Sequence, residues 1–150
     1  MCTNKANLQV ALLRANGIPA AYGEYLISRE ALRPLCRPDF FEKINEATTH
    51  IYCAVWLGGR WVKADATVDS LLLRTAYRGV PGWRELAWDG EQDAIIDRRF
   101  VLEERGLHAN VDEALEVEPR FLNEEMLAGA NAHLESLILA RGGEKRWPRT

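Results

Sequence analysis

Gly58-Gly59 sits between two β-rich runs, His50 to Leu57 and Arg60 to Thr67, and no other feature limits the fold as tightly. Two residues able to take positive φ between branched and aromatic runs specify a two-residue hairpin, and that loop length sets the register. Leu57 then faces Arg60, Trp56 faces Trp61, Tyr52 faces Asp65 and His50 faces Thr67. Because side chains alternate along a strand, His50, Tyr52, Ala54 and Trp56 share a face with Trp61, Lys63, Asp65 and Thr67. His50 and Asp65 are diagonal neighbours there, at a backbone separation of roughly 7–8 Å that two side chains can bridge. The expected contact is His50 Nδ1–H to the Asp65 carboxylate, which fixes the tautomer and orientation of the imidazole. Cys53 falls on the opposite face with Ile51, Val55 and Leu57, as a small buried hydrophobe. Trp56 and Trp61 form an expected cross-strand packing pair.

A base and its orienting carboxylate need a nucleophile, and the start of the chain supplies one. Thr3 to Asn16 carries Ala6, Val10 and Leu13 with Ala11, Leu12 and Ala15 at helical spacing, then meets Gly17 and Pro19. This predicts a helix capped by Thr3 or Asn4 and ended by its two stop signals, with Cys2 at its N-terminus. A thiol there has its thiolate stabilised by the helix dipole and the free backbone N–H groups, and Lys5, one turn on, adds positive charge. With a His partner that thiol becomes a nucleophile poised near neutral pH. Cys2, His50 and Asp65 therefore make a chemically complete set.

The remaining chain is read more coarsely. Ala20 to Ile27 is a predicted strand; Ser28 to Leu35 and Pro38 to Glu46 are short helical or irregular pieces broken by Pro34 and Pro38, fit for a lid or rim. Phe121 to Arg141 carries Leu122, Met126, Ala130, Leu134, Leu137 and Ile138 on one helical face, before Gly142-Gly143. That helix is expected to pack on the core or, where uncovered, to offer a surface for homo-oligomers. His108 and His133 are read as surface or helix residues, and the Gly79-Val80-Pro81-Gly82 stretch as a turn.

Composition excludes other classes. The 150 residues carry a net charge of -3, and only Glu144 to Thr150 is locally basic, so no nucleic-acid partner is expected. No apolar run approaches the roughly 18 residues of a membrane span and no leader pattern opens the chain, so the expected setting is cytoplasmic with no membrane partner. Cys2, Cys36 and Cys53 form no CxxC pair, and His50, His108 and His133 no metal-binding spacing, so neither a disulfide framework nor a metal or other cofactor is expected.

Two blocks carry a family resemblance. Cys2-Thr3-Asn4-Lys5 through Ala11-Leu12-Leu13-Arg14-Ala15-Asn16-Gly17-Ile18-Pro19-Ala20 resembles the nucleophile helix of the transglutaminase-like superfamily, a Cys opening a helix that ends in ALLRA-x-GIPA. His50 through Trp61 to Asp65-Ala66-Thr67 is similar to that family's strand pair, and the order Cys, His, Asp agrees. The resemblance implies an α+β, papain-like fold, with the nucleophile helix packed on an antiparallel sheet and a C-terminal helix beyond. It implies one domain over 1–150, with a core of about 2–70, a helical extension of about 91–141, and truncation at the N-terminus, where only Met1 precedes Cys2. It also implies acyl transfer from a peptide or protein amide through a Cys2 thioester, as a cysteine protease or amidase rather than a crosslinker. The alternative is a catalytically incomplete fragment that serves as an interaction or structural domain.

Overall fold

Gly58 and Gly59 take φ of 56° and 81°, the left-handed pair a two-residue hairpin turn demands. They join β2 (Ala47–Leu57) to β3 (Arg60–Ala64), and the ladder runs from Leu57↔Arg60 to Cys53↔Ala64 in the expected register. The structure, a computed structural model, describes residues 2–81, 83, 88–114 and 124–140. The described strands form one antiparallel sheet in the order β3-β2-β1-β4, with β1 (Ala20–Ser28) paired along β2 from Ala20↔Val55 to Ser28↔Ala47. The fold is thus α+β, as expected.

Apolar residues cover both faces of β2, because its neighbours on both sides are strands and each face has its own layer. Helix α1 (Cys2–Ala15) sets Ala6 and Val10 on Ala20, Tyr22, Ile51 and Cys53. On the other face Tyr25, Ile27, Tyr52 and Ala54 pack with Ala31 and Ile96. Gly23 lies opposite Tyr52, and a Cβ there would overlap the tyrosine ring, which instead stacks on Tyr25 at 4.6 Å between centroids. Glycine is required at that point by the close approach of the ring.

Several expectations are corrected. Helix α1 begins at Cys2, so Thr3 and Asn4 lie in its first turn rather than capping it. The 3-10 helix Arg29–Leu35 buries Ala31 and Leu35 and accepts a 2.8 Å bond from the Tyr77 hydroxyl at the Ala31 carbonyl, so this piece is anchored core and not a lid. Between it and β2 lies only the single turn α2 (Pro38–Phe41), which buries Phe41. The ladder of β3 stops at Ala64, so Tyr52↔Asp65 and His50↔Thr67 do not form. The stretch 91–141, expected to be helical, supplies the edge strand β4 (Val101–His108), and His108 lies on it rather than on a helix.

Besides its backbone ladder, β4 is tied to β1 by polar side chains. Glu24, 6% exposed, bonds Arg105 and His108 at 3.1 Å each, a pairing that apolar alternation does not reveal. After β3 comes α3 (Ser70–Arg74), and after β4 come α4 (Val111–Ala114) and α5 (Glu124–Ala140). Leu134 and Leu137 of α5 pack against Leu35, Ala76 and Tyr77, so this part of the expected stripe meets the core. Phe121, Leu122, the Met126 side chain, Gly142-Gly143 and the basic tail lie outside what is described.

Candidate active site

The site lies where β3 ends. Because β2 has eleven residues and β3 five, the stretch of β2 before Cys53 has no partner on the β3 side. At that open end the Cys2 thiol, at the head of α1 and 3.9 Å from Thr3 Oγ1, comes under the influence of the His50 ring and the backbone N–H of Ile51. Asp65, just past the last ladder pair, places Oδ2 2.6 Å from His50 Nε2. The three residues expected to act together are therefore gathered at one end of the sheet, where His50 is bonded to Asp65 and the two side chains are 4% and 2% exposed.

Two details differ from expectation. The Asp65 contact is made by Nε2 and not Nδ1, so Nδ1 is the ring nitrogen left for the thiol. The strand ladder does not place Asp65. Its carboxylate instead accepts the Thr67 N–H at 2.9 Å, while its own N–H donates to Ala94 O at 2.8 Å. An Asp that bonds the N–H two residues on competes with strand continuation, and the Asp-x-Thr pattern was the available signal for it. The turn delivers the carboxylate straight to the ring rather than along a diagonal of the sheet.

Lys5 also has a different role from the one expected. It donates to Thr67 O at 3.0 Å and to Asp69 Oδ2 at 3.1 Å, so its charge is matched there and not directed at Cys2. Asp69 in turn caps α3 by accepting the Leu72 N–H at 2.9 Å. Lys5 thus ties the helix that carries Cys2 to the turn that carries Asp65. Sequence reasoning missed both this tie and the Ile51 N–H, since neither follows from spacing along one element.

Electrostatics follow from this geometry. Burial raises the Cys2 thiol, but the hydrogen bond and charge of His50, together with the Ile51 N–H, outweigh it and bring the thiol down to about 6. Burial works against a charged His50, yet the Asp65 charge and hydrogen bond, with the Cys2 contact, carry the ring up to about 10. Asp65 is buried too, and the His50 charge and bond, with the Thr67 bonds, hold it below the usual carboxylate range. These shifts favour a thiolate-imidazolium pair oriented by a carboxylate, a pair whose chemistry is that of a nucleophile toward electrophilic carbon. Cys53 lacks such partners and burial pushes it up to about 11; burial also raises Cys36.

Trp56 and Trp61 pack edge to face at 5.4 Å near the hairpin tip, about two-fifths exposed. Among the described residues, no group of three or more His, Cys, Asp and Glu is placed to hold a metal, and no helix is long and apolar enough to cross a membrane. A cavity of about 310 Å³ lies against Asp65; neither Cys2 nor His50 lines it.

The family model of the transglutaminase-like superfamily matches residues 1–66. Residues 1–66 are thus similar to the core of that superfamily. The match takes in Cys2, His50 and Asp65 and ends within the turn that follows β3, so the family's span and the assembled contacts coincide. The superfamily is one of cysteine-dependent enzymes. Neither the curated proteins nor the solved structures contain a match to the chain.

Proposed function

We propose that this transglutaminase-like core is a cysteine-dependent hydrolase or acyltransferase that acts on peptide or protein amide bonds. The observation that carries this reading is the buried 2.6 Å bond of His50 to Asp65 at the end of the sheet where the Cys2 thiol, at the head of α1, is lowered by His50. The Cys2 thiolate adds to the amide carbonyl carbon, and the C–N bond breaks as His50 gives its proton to the departing amine. The product is a thioester on Cys2 and a neutral His50. Water, or an acceptor amine, then loses a proton to His50 as it attacks the thioester carbon; the acyl product leaves and the thiolate-imidazolium pair is restored.

Asp65 acts through His50, holding Nε2 so that Nδ1 faces the thiol and stabilising the imidazolium. Oxyanion stabilisation comes from the first turn of α1, whose N–H groups have no partner within the helix and lie at its positive end. Whether water or an amine completes the cycle depends on access to the thioester, and hydrolysis is the expected outcome.

A panel of N-acylated short peptide anilides tests the reading directly. The expected result is released aniline together with an acyl mass on the Cys2 peptide after acid quench, both absent from Cys2→Ser and His50→Ala. Added hydroxylamine would convert the acyl group to a hydroxamate. Turnover that persists in Cys2→Ser, or a panel with neither aniline nor adduct, would contradict it.

A further inference from the structure

Helix α1 is apolar on two sides. Ala6 and Val10 face the sheet, and at about 100° per residue Leu8, Ala11, Leu12 and Ala15 fall in one row on the opposite side, all four exposed. Leu8 and Leu12, at 62% and 57%, are the most exposed large apolar side chains among the described residues. A single exposed leucine is ordinary. A continuous apolar row on the outside of a helix is not, because a helix apolar all round belongs between two layers. The two charged side chains of α1 are turned to their own chain: Lys5 donates to Thr67 O and Asp69, and Arg14 to Ala20 O and Ala109 O. The row itself therefore carries no charge.

Two properties of the row select what covers it. Without charge it offers nothing to an acidic or basic surface, yet it meets an identical face with no repulsion. Its order also suits a two-fold axis, the symmetry by which one patch covers itself. An axis through the midpoint of the row, between Ala11 and Leu12, sets two α1 helices antiparallel. Leu12 then meets the partner's Leu12, Ala11 lies across from the partner's Ala11, and each Leu8 falls over the partner's Ala15. Large meets small at both ends, and the leucines close the centre. We propose that the outer face of α1 pairs two copies of this chain. A row of four side chains falls well short of the roughly 800 Å² per partner of a standard interface, so the dimer is weak and forms at high protein concentration. The two Cys2 residues stand at opposite ends of the pair, about 28 Å apart along the helices at about 1.5 Å per residue. The pairing does not rest on the catalytic reading.

Sedimentation velocity of the full chain, from micromolar to millimolar concentration, reads the equilibrium. The expected result is a concentration-dependent passage from monomer to dimer. Leu12→Glu, which sets two carboxylates against each other at the axis, should raise the dissociation constant at least about tenfold. Leu139→Glu, an equivalent change at an exposed leucine of α5, should leave it unchanged. Leu12 is exposed and belongs to none of the buried clusters, so its variant keeps the fold, as circular dichroism checks. The register is read by mild oxidation in a Cys2→Ser background. Ala11→Cys, beside the axis, should crosslink above that parent, while Ala15→Cys, displaced by about 10 Å along the helices from its own counterpart, should not. The proposal is overturned by a chain that stays monomeric to millimolar concentration, by a dimer that survives Leu12→Glu or is lost on Leu139→Glu, or by equal crosslinking at the two positions.

Discussion

Two thiols beside the same strand have opposite character. Cys53, in the paired stretch of β2, is fully buried among Val10, Ala20 and Tyr22 and is pushed up to about 11. Cys2, at the unpaired end of the same strand, is brought down to about 6. Burial acts on both in the same direction, so it cannot explain the difference. What differs is the end of β3: where the ladder continues, a cysteine meets hydrocarbon, and where it stops, the chain admits a helix N-terminus, an imidazolium and a free backbone N–H. The site is thus a consequence of two hairpin arms of unequal length.

The comparison can be broken outright. Cys2→Ser should lower amide turnover by at least about 10⁴-fold, to the level left by binding and oxyanion stabilisation, in a steady-state assay. His50→Ala should make Cys2 resemble Cys53: turnover falls about 10²–10⁴-fold, and the alkylation midpoint of Cys2 rises above 9.0, its ordinary value, because burial is then unopposed.

Asp65→Asn sharpens the comparison by leaving His50 in place without its counter-charge. Removing one partner of a buried ion pair costs about 3–5 kcal/mol. At about 1.36 kcal/mol per unit this lowers the His50 pKa by about two to four units from about 10. In the parent chain the ion pair is populated between about pH 6 and about 10, and kcat/KM should be bell-shaped between those limbs. The variant should lose the alkaline part of the bell. Stability follows the same groups. The raised His50 contributes fully below pH 6.5 and is lost as pH rises through about 10; the lowered Cys2 contributes above pH 9.0 and is lost as pH falls through about 6. Urea unfolding across this range checks both signs.

Lys5→Met should have the smallest effect. The Lys5–Asp69 pair is well exposed on both sides, so its loss costs no more than about 1 kcal/mol in urea unfolding. Because Lys5 braces the Asp65 turn without facing the thiol, the alkylation midpoint of Cys2 should stay within about half a unit.

Much of the site was legible because its parts obey local rules. Gly58-Gly59 set a register that the structure keeps through its five ladder pairs, and Gly17 with Pro19 bounded the helix that carries Cys2. The contact of His50 with Asp65 followed from that register, although the reason for it changed: a turn at Asp-x-Thr, not strand pairing, delivers the carboxylate, and Nε2, not Nδ1, receives it. Strand β4 escaped notice because an edge strand with Glu103, Glu104 and Arg105 shows no apolar alternation, and its partner on β1 is the buried Glu24. Lys5 was misjudged for a related reason. Sequence distance placed it near Cys2, while the fold offered it a carbonyl and a carboxylate 62 and 64 residues away.

The pH dependence of iodoacetamide alkylation, read separately at Cys2 and Cys53 by peptide mass spectrometry in the native chain, tests the central claim most directly. Cys2 should react with a midpoint near 6 that His50→Ala abolishes, while Cys53 stays inert until well above pH 9. A Cys2 midpoint at or above that of an ordinary thiol, unchanged by His50→Ala, would contradict the account.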